Sequence, residues 1–291
     1  MSFPSPPLLG AHMSIAGGYE KAVEAAGACR MDVVQLFTKN NNQWRAKPIS
    51  DEESARFRAA LERLGVRHPL SHSSYLINLG SSDAELWRKS IDALIVELQR
   101  AEQLGIPYVV VHPGAAVGAT AQTGLDNIVR ALDVIHEFAP RLRSQLLLEN
   151  TAGQGSCLGW RFEQLADILT RVRQSDRLGV CFDTCHAFAA GYPLADRRDY
   201  LATFREFDRI VGVERIRAFH VNDSKRELGS RVDRHEHIGR GKVGLEAFRH
   251  LLLDKRFRHT PMYLETPKGE REGRLWDEIN LETLRALTVR L

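Results

Sequence analysis

The chain has 291 residues, 43% of them hydrophobic and 26% charged, and a net charge of only +3. That is an ordinary globular composition with enough chain to bury a large core without staples. No apolar stretch approaches the roughly 18–20 residues of a membrane helix, and the opening MSFPSPPLLG lacks the basic and apolar regions of a secretory signal. Four scattered cysteines (Cys29, Cys157, Cys181 and Cys185) form no CxxC pair and read as free thiols of a reducing cytosol.

Short β-branched runs alternate with longer segments of helical period. In chain order the predicted elements are strand 8–14 (LLGAHMS), helix 18–28, strand 33–39 (VVQLFTK), helix 51–64, strand 68–74 (HPLSHSS) and helix 84–104. There follow strand 108–114 (YVVVHPG), helix 125–138, strand 145–151 (QLLLENT), helix 162–173 and strand 178–184 (LGVCFDT). Helix 200–213, strand 216–223 (IRAFHVND), helix 245–253, strand 262–266 (MYLET) and helix 275–291 complete the series. Leu64-Gly65-Val66 and Leu104-Gly105-Ile106-Pro107 are helix stops, with glycine just past the helix. Eight strand–helix units predict an α/β fold with a parallel sheet, closed as a (β/α)₈ TIM barrel in a single domain over 1–291. An open doubly wound sheet is the alternative, and the absence of GxGxxG after the first strand counts against a dinucleotide fold.

In such a barrel the active site lies at the C-terminal ends of the strands. Seven of the eight runs end on an acid or imidazole: His12, His72, His112, Glu149, Asp183, His220 and Glu265. The second run offers only Thr38 and Lys39. Taken singly, each is explained by rim hydrogen bonding or helix capping. Taken together at one mouth, carboxylates repel and several would have to take up protons. Divalent ions resolve that conflict and would hold Glu149, whose place at the end of a buried strand is otherwise costly.

Two further spacings add donors. Asp183 and His186 are i, i+3 across a strand-to-helix turn, and Asp233 and His235 are i, i+2 in an extended loop after the seventh strand. Glu236 reads as solvated and His237 as supporting or structural. Nine donors (His72, His112, Glu149, Asp183, His186, His220, Asp233, His235 and Glu265) exceed the coordination of one ion. Mixed imidazole and carboxylate suits Zn²⁺, or Mn²⁺ and Fe²⁺ less firmly, and the count suits two or three ions. Clustered dications assist phosphoryl displacement. Residues 215–274 carry fifteen Lys+Arg against nine Asp+Glu. That balance is expected either of a surface for a polyanion or of a solvated mixed-charge face.

The stretches GAHMSIAGG (10–18), QLFTKN (35–40), SHSSYLINL (71–79), VVHPG (110–114), LLLENTAGQG (146–155), GVCFDTCHAFAAGY (179–192), FHVNDSK (219–225), GSRVDRHEHIGRG (229–241) and YLETP (263–267) carry a likeness. The sequence closely resembles the endonuclease IV family of apurinic/apyrimidinic endonucleases, from the first strand to the last. The resemblance implies a TIM barrel with three zinc ions that cleaves duplex DNA 5′ to an abasic nucleotide, leaving a 3′-hydroxyl and a 5′-deoxyribose phosphate. Trimming of 3′ ends is a further expectation. It implies that His72, His112 and Glu149 bind one ion, and that Glu149 bridges to a second held by Asp183, His220 and Glu265. His186, Asp233 and His235 would bind the third, with Mn²⁺ or Fe²⁺ as substitutes and Glu149 as the catalytic carboxylate.

Tyr75 and the KNNNQW loop (39–44) resemble the family's DNA-penetrating elements, with Tyr75 and Trp44 as stacking or wedging residues. The tract Asn40-Asn41-Asn42-Gln43 lacks the basic residue that members often carry there. Lys39, Lys225, Arg226, Arg231, Arg234 and Arg240 are candidate phosphate contacts. A prokaryotic cytoplasmic monomer acting at the nucleoid is the expectation. The rival readings are a sugar isomerase or epimerase on the same barrel and a catalytically dead nucleic-acid-binding barrel. The Asp233/His235 pair argues against the first and the full set of nine donors against the second.

Overall fold

The computed structural model describes residues 6–288. Strand β1 (Leu9–His12), helix α1 (Tyr19–Ala28), β2 (Val33–Phe37), α2 (Asp51–Leu64), β3 (Arg67–His72), α3 (Ala84–Leu104), β4 (Tyr108–Val111), α4 (Ala121–Phe138) and β5 (Gln145–Glu149) form the first half. The second half holds α5 (Phe162–Arg171), β6 (Leu178–Asp183), α6 (Thr184–Ala190), α7 (Arg197–Ile210), β7 (Ile216–His220), β8 (Asp223–Ser224) and β9 (His235–Glu236). It ends with α8 (Leu245–Leu253), β10 (Met262–Leu264), β11 (Glu270–Arg271), β12 (Arg274–Leu275) and α9 (Trp276–Ala286). Eight parallel strands close in the order β1-β10-β7-β6-β5-β4-β3-β2, so the barrel stands and the open sheet does not.

The helices start and stop where side chains dictate. Ser50 and Glu53 form a reciprocal capping box on α2, and Asp83 and Thr120 cap α3 and α4. Gly65 and Gly105 end α2 and α3 at φ 66° and 76°, the left-handed turn that glycine takes without strain. The last predicted helix ends at Ala286, and residues 289–291 lie outside the described residues, as do 1–5. Two features differ from expectation. A short helix, α6, follows β6 directly, capped by Asp183. The antiparallel pair β8/β9 organises the loop after β7, with Ser224 opposite His235.

The barrel interior explains where the chemistry sits. Val33, Leu70, Val110, Leu147, Cys181, Ala218 and Tyr263 form an apolar cluster of their own, one residue from each of seven strands. The eighth strand contributes Gly10, paired in register with Val33 and Tyr263. Two residues further along, on the same interior face by strand alternation, stand His12, Gln35, His72, His112, Glu149, Asp183, His220 and Glu265. The opposite strand faces, with Val34, Leu36, Val109, Leu146, Leu148, Phe182 and Phe219 among them, join the helices in the large outer core.

A Cβ on Gly10 would land on the Val33 carbonyl oxygen, so the strand pair tolerates only glycine there. Gly10→Ala is expected to lower the thermal midpoint by roughly 5 °C, following the usual 1–3 kcal/mol of overpacking. Thermal melts of both proteins check this, and an unchanged midpoint contradicts it.

Candidate metal centre

The nine predicted donors meet at one mouth. Glu149 is fully buried, and both its oxygens face imidazoles. Oε2 lies 3.2 Å from His72 Nε2 and 3.1 Å from His112 Nε2. Oε1 lies 2.9 Å from His220 Nδ1 and 3.1 Å from His186 Nδ1. His220 Nδ1 is also 3.1 Å from Glu265 Oε2 and 3.9 Å from Asp183 Oδ2. At the outer side His186 Nε2 lies 3.1 Å from Asp233 Oδ2, and His235 Nε2 lies 3.3 Å from Asp233 Oδ1.

The supporting bonds fix which ring nitrogen faces inward. His72 Nδ1 donates to Ser73 O at 2.8 Å, His186 Nδ1 to Asn150 O at 2.9 Å and His235 Nδ1 to Glu265 O at 3.2 Å. His220 Nε2 donates to Gln35 Oε1 at 2.7 Å. The other nitrogen of each ring, bearing the lone pair in a neutral imidazole, therefore points into the cluster, while His186 Nδ1–H is shared between Asn150 O and Glu149 Oε1. There it meets carboxylate oxygens and, between His186 Nε2 and His235 Nε2, another nitrogen at 3.4 Å. Acceptor facing acceptor at these distances requires either added protons or cations.

Donor atoms within 4.8 Å of one another fall into overlapping sets: His72, His112 and Glu149; Glu149, Asp183, His220 and Glu265; and Asp183, His186 and His235. Glu149 belongs to two sets, as does Asp183. A mixed imidazole–carboxylate donor set, with the second ring nitrogens of His72, His186, His220 and His235 hydrogen-bonded, suits zinc and its neighbours in the divalent series. Cys185 Sγ also comes within reach of Asp233 and His235, a soft donor placed among the free thiols from sequence. All four cysteines are free.

The carboxylates and imidazoles shift one another's titration in opposite directions. Burial works against charge on His186, yet Asp183, Asp233 and Glu149 hold its pKa well above the imidazole range. Burial likewise opposes charge on His220, but the Cys181 sulfur, Glu265 and Glu149 raise it well above. Burial pushes Glu149 up, and His220, His112 and His186 pull it well below the carboxylate range. Glu265 is drawn down to about 2, His220 and His72 outweighing its burial and the Glu149 charge. His12 is pushed down to about 3, chiefly by burial.

Asp183 does two jobs. Its Oδ1 accepts the His186 backbone N–H at 2.7 Å, capping α6, while Oδ2 accepts from Asn222 Nδ2 at 2.7 Å on the cluster side. Gln35 is the residue sequence reasoning missed. Fully buried, it accepts from His220 and donates Nε2–H to Glu265 Oε1 at 2.6 Å and to His12 Nδ1 at 3.0 Å. The signal was present, since Gln35 follows the inward Val33 by two residues. Asn150 and Asn222 are further buried supports, bonded to the Asp183 backbone and to Glu265 N respectively.

The rim candidates divide. A cleft of about 600 Å³ is lined by Tyr75, Lys225, Arg234 and Pro267 above His72, His112, His186, Asp233, His235 and Glu265. Tyr75 is 58% exposed, its ring 5.4 Å from that of His72. Trp44 is half-buried under Lys89 Nζ at 4.5 Å, Arg231 lies over Trp160 at 4.0 Å, and Arg240 lies over Trp276 at 4.8 Å. Arg226 is exposed. Lys39 departs from expectation: it is buried, 3.3 Å from Glu97 Oε1, and donates to Gln43 O at 2.7 Å. Its charge is paired inside the protein. Glu236 accepts from His237 N, and His237 stacks on Trp276 at 3.7 Å, a structural place.

Barrel and cluster together define the class. The family described as xylose isomerase-like TIM barrel matches residues 21–287. A "probable endonuclease 4" of Chloroflexus aggregans is 50% identical over 281 residues, covering 97% of this chain and 98% of the relative. One from Geobacter sp. is 48% identical over 96% of this chain and 98% of the relative. The crystal structure of endonuclease IV from Thermus thermophilus superimposes with a TM-score of 0.84 at 41% identity, covering 97% and 98% of the two chains. The chain belongs to the endonuclease IV family. A D-tagatose 3-epimerase-like protein matches at a TM-score of 0.71 and 20% identity over 96% of each chain, a likeness of fold alone.

Metal loading is expected to release protons. The carboxylates around His186 and His220 raise both pKa values well above the imidazole range and favour the protonated rings, whereas coordination needs neutral imidazole. Zn²⁺ titration of metal-depleted protein in buffers of different ionisation enthalpy should report release of about two protons. A slope of zero contradicts it. The His186 and His220 contributions to metal-free stability are present below the unfolded pKa near 6.5 and are lost as pH rises through the raised folded values. His12 acts oppositely: its depressed pKa makes the fold lose stability as pH falls from about 6.5 toward about 3.

Proposed function

We propose that this protein is a metal-dependent DNA repair endonuclease that hydrolyses the phosphodiester 5′ to abasic sites in duplex DNA, leaving a 3′-hydroxyl and a 5′-deoxyribose phosphate. The observation that carries the reading is the set of inward imidazole nitrogens facing carboxylate oxygens around Glu149. His72, His112 and Glu149 would hold one ion; Glu149, Asp183, His220 and Glu265 a second; His186, Asp233 and His235 a third. Zinc is the proposed metal, with Mn²⁺ or Fe²⁺ as substitutes. Four carboxylates against three dications leave a net charge of +2, suited to an anionic phosphodiester.

Divalent ions bound there supply Lewis acidity, favouring hydroxide near neutral pH and offsetting charge that builds up on phosphorus and the leaving 3′-oxygen. The protein's part is to hold nine donors still and to orient the attacking oxygen. Glu149, with its two oxygens directed apart by four imidazoles, orients the nucleophile or takes its proton. Tyr75, at the rim above His72, serves as a wedge, with Trp44 as a second stacking residue. Lys225, Arg231 and Arg234 contact phosphates. The abasic sugar turns out of the duplex into the cleft, at a cost that is lower for a nucleotide without a base. Trimming of blocked 3′ ends uses the same centre. The protein acts as a monomer in the bacterial cytoplasm.

The test is incision of a duplex carrying one abasic analogue, with the product ends identified. Cleavage on the 5′ side, loss of activity on thorough chelation and a fall in kcat of about 10³-fold or more in Glu149→Ala are expected. Robust cutting by Glu149→Ala contradicts the role given to that residue. Arg234→Ala is expected to weaken binding to damaged and undamaged duplexes alike and to reduce the slope of log Kd against log salt by about 1. A sequence- or lesion-selective loss with an unchanged slope contradicts a phosphate contact.

A further inference from the structure

One face of α3 carries polar side chains that reach out of the helix toward the barrel mouth. Glu97 is 1% exposed. Its Oε2 accepts from Thr38 Oγ1 at 2.7 Å, and its Oε1 lies 3.3 Å from Lys39 Nζ and 3.3 Å from the Ser74 backbone N–H. Thr38 and Lys39 open the loop after β2, while Ser74 immediately precedes Tyr75 on the segment after β3. One carboxylate thus ties together two loops from neighbouring strands. Ser74 Oγ adds a direct link, donating to Asn41 O at 2.5 Å.

The same helix fixes the rest of the first loop. Arg100 donates to Thr38 O at 2.6 Å through Nη2 and to Lys47 O at 2.7 Å through Nη1. Gln103 donates to Ile49 O at 2.6 Å one turn later. Between residues 38 and 50 the chain has no helix or strand, and loops without such bonds open readily. A buried Lys–Glu pair contributes little net stability over an apolar pair. What it adds is direction, because each charged atom accepts only partners at defined places.

We propose that Glu97 is a positioning residue that locks the 38–49 loop to the Tyr75 segment, with Arg100 fixing the 38–49 loop beneath it, so that both loops engage a damaged duplex together. The coupling stands on the bonds above. The ligand rests on the reading of the site as an abasic-DNA endonuclease.

The test follows amide hydrogen exchange in the full chain for the unaltered protein, Glu97→Gln, Lys39→Met and Ser74→Ala. Each substitution should speed exchange about tenfold in both 38–49 and 73–77 while leaving the barrel strands unchanged. Ser74→Ala, which removes only one hydroxyl, and Lys39→Met keep the test decisive if Glu97→Gln does not fold. Each variant should also raise Kd for a duplex with a tetrahydrofuran abasic analogue about tenfold, with less than about threefold change in cleavage rate at saturating DNA. Exchange that quickens only in the substituted residue's own loop overturns the proposal, as does an unchanged Kd with a fallen cleavage rate. If the unaltered protein itself shows no preference for the abasic duplex, the endonuclease reading falls and exchange alone decides the coupling.

Discussion

A fully buried carboxylate surrounded by four imidazoles is the constraint on which this structure turns. Glu149 sits fully buried at the end of β5, and among the described residues no Lys or Arg pairs with it. An isolated buried carboxylate is costly by several kcal/mol. Here both oxygens are met by ring nitrogens, and three of those rings, His72, His186 and His220, are also held by a carbonyl or amide oxygen. The arrangement is self-consistent only with positive charge inside it. Protons on the imidazoles or bound dications can each supply that charge, dications with less demand on pKa values. The apolar layer below, from Val33 round to Tyr263, gives the barrel its closure without help from the polar layer, so the donors are held rather than merely tolerated.

Period two connects the layers. A one-residue slip in any strand would replace its donor with a residue from the helix-facing side, such as Val111, Leu148 or Phe182. The register pairs His12 with Gln35, Glu149 with Cys181 and Asp183 with His220, which fixes relative heights around the mouth. Gln35 closes the ring where β2 lacks an ionisable donor. Its amide can satisfy His220 with one end and Glu265 and His12 with the other only in a single orientation. A carboxylate at that position would add a fifth negative charge, and an aliphatic residue would leave His220 free to turn.

Most of the centre was legible in the sequence because strand-end donors follow apolar runs, and the eye finds a polar stop after LLL or VVV. Gln35 escaped because it lies inside VVQLF rather than after it, and reading the end of that run led to Thr38 and Lys39 instead. Counting by two from Val33 would have found it. Lys39 illustrates the opposite limit. A lysine beside an asparagine tract at a rim reads as a surface cation, and only the partner on α3, 58 residues away in Glu97, shows that it points inward. Likewise α6 is seven residues long, too short for a clear helical period, and is specified by the Asp183 cap instead. The β8/β9 pair depends on the Asp223 carboxylate, which gathers the backbone N–H groups of Ser224, Gly239, Gly241 and Val243. No local pattern announces such a contact.

The donors differ in what holds them, and that difference orders the centre. His72, His112, Glu149, Asp183, His220 and Glu265 stand at or just past barrel strands, so their positions come with closure of the sheet. His186 is one step removed, on a helix whose start is set by Asp183. Asp233 and His235 belong to a loop whose geometry comes from Asp223, from the β8/β9 bridge and from Gln154, which accepts the Asp233 N–H at 3.2 Å. A loop free energy is small beside that of a barrel, so the outermost donors are the ones whose placement a bound cation would reinforce most. The basic residues Arg231 and Arg234 flank those same donors. Charge that would draw a polyanion to the rim and carboxylate that would hold a cation beneath it are thus carried by one short segment, and ordering either orders both.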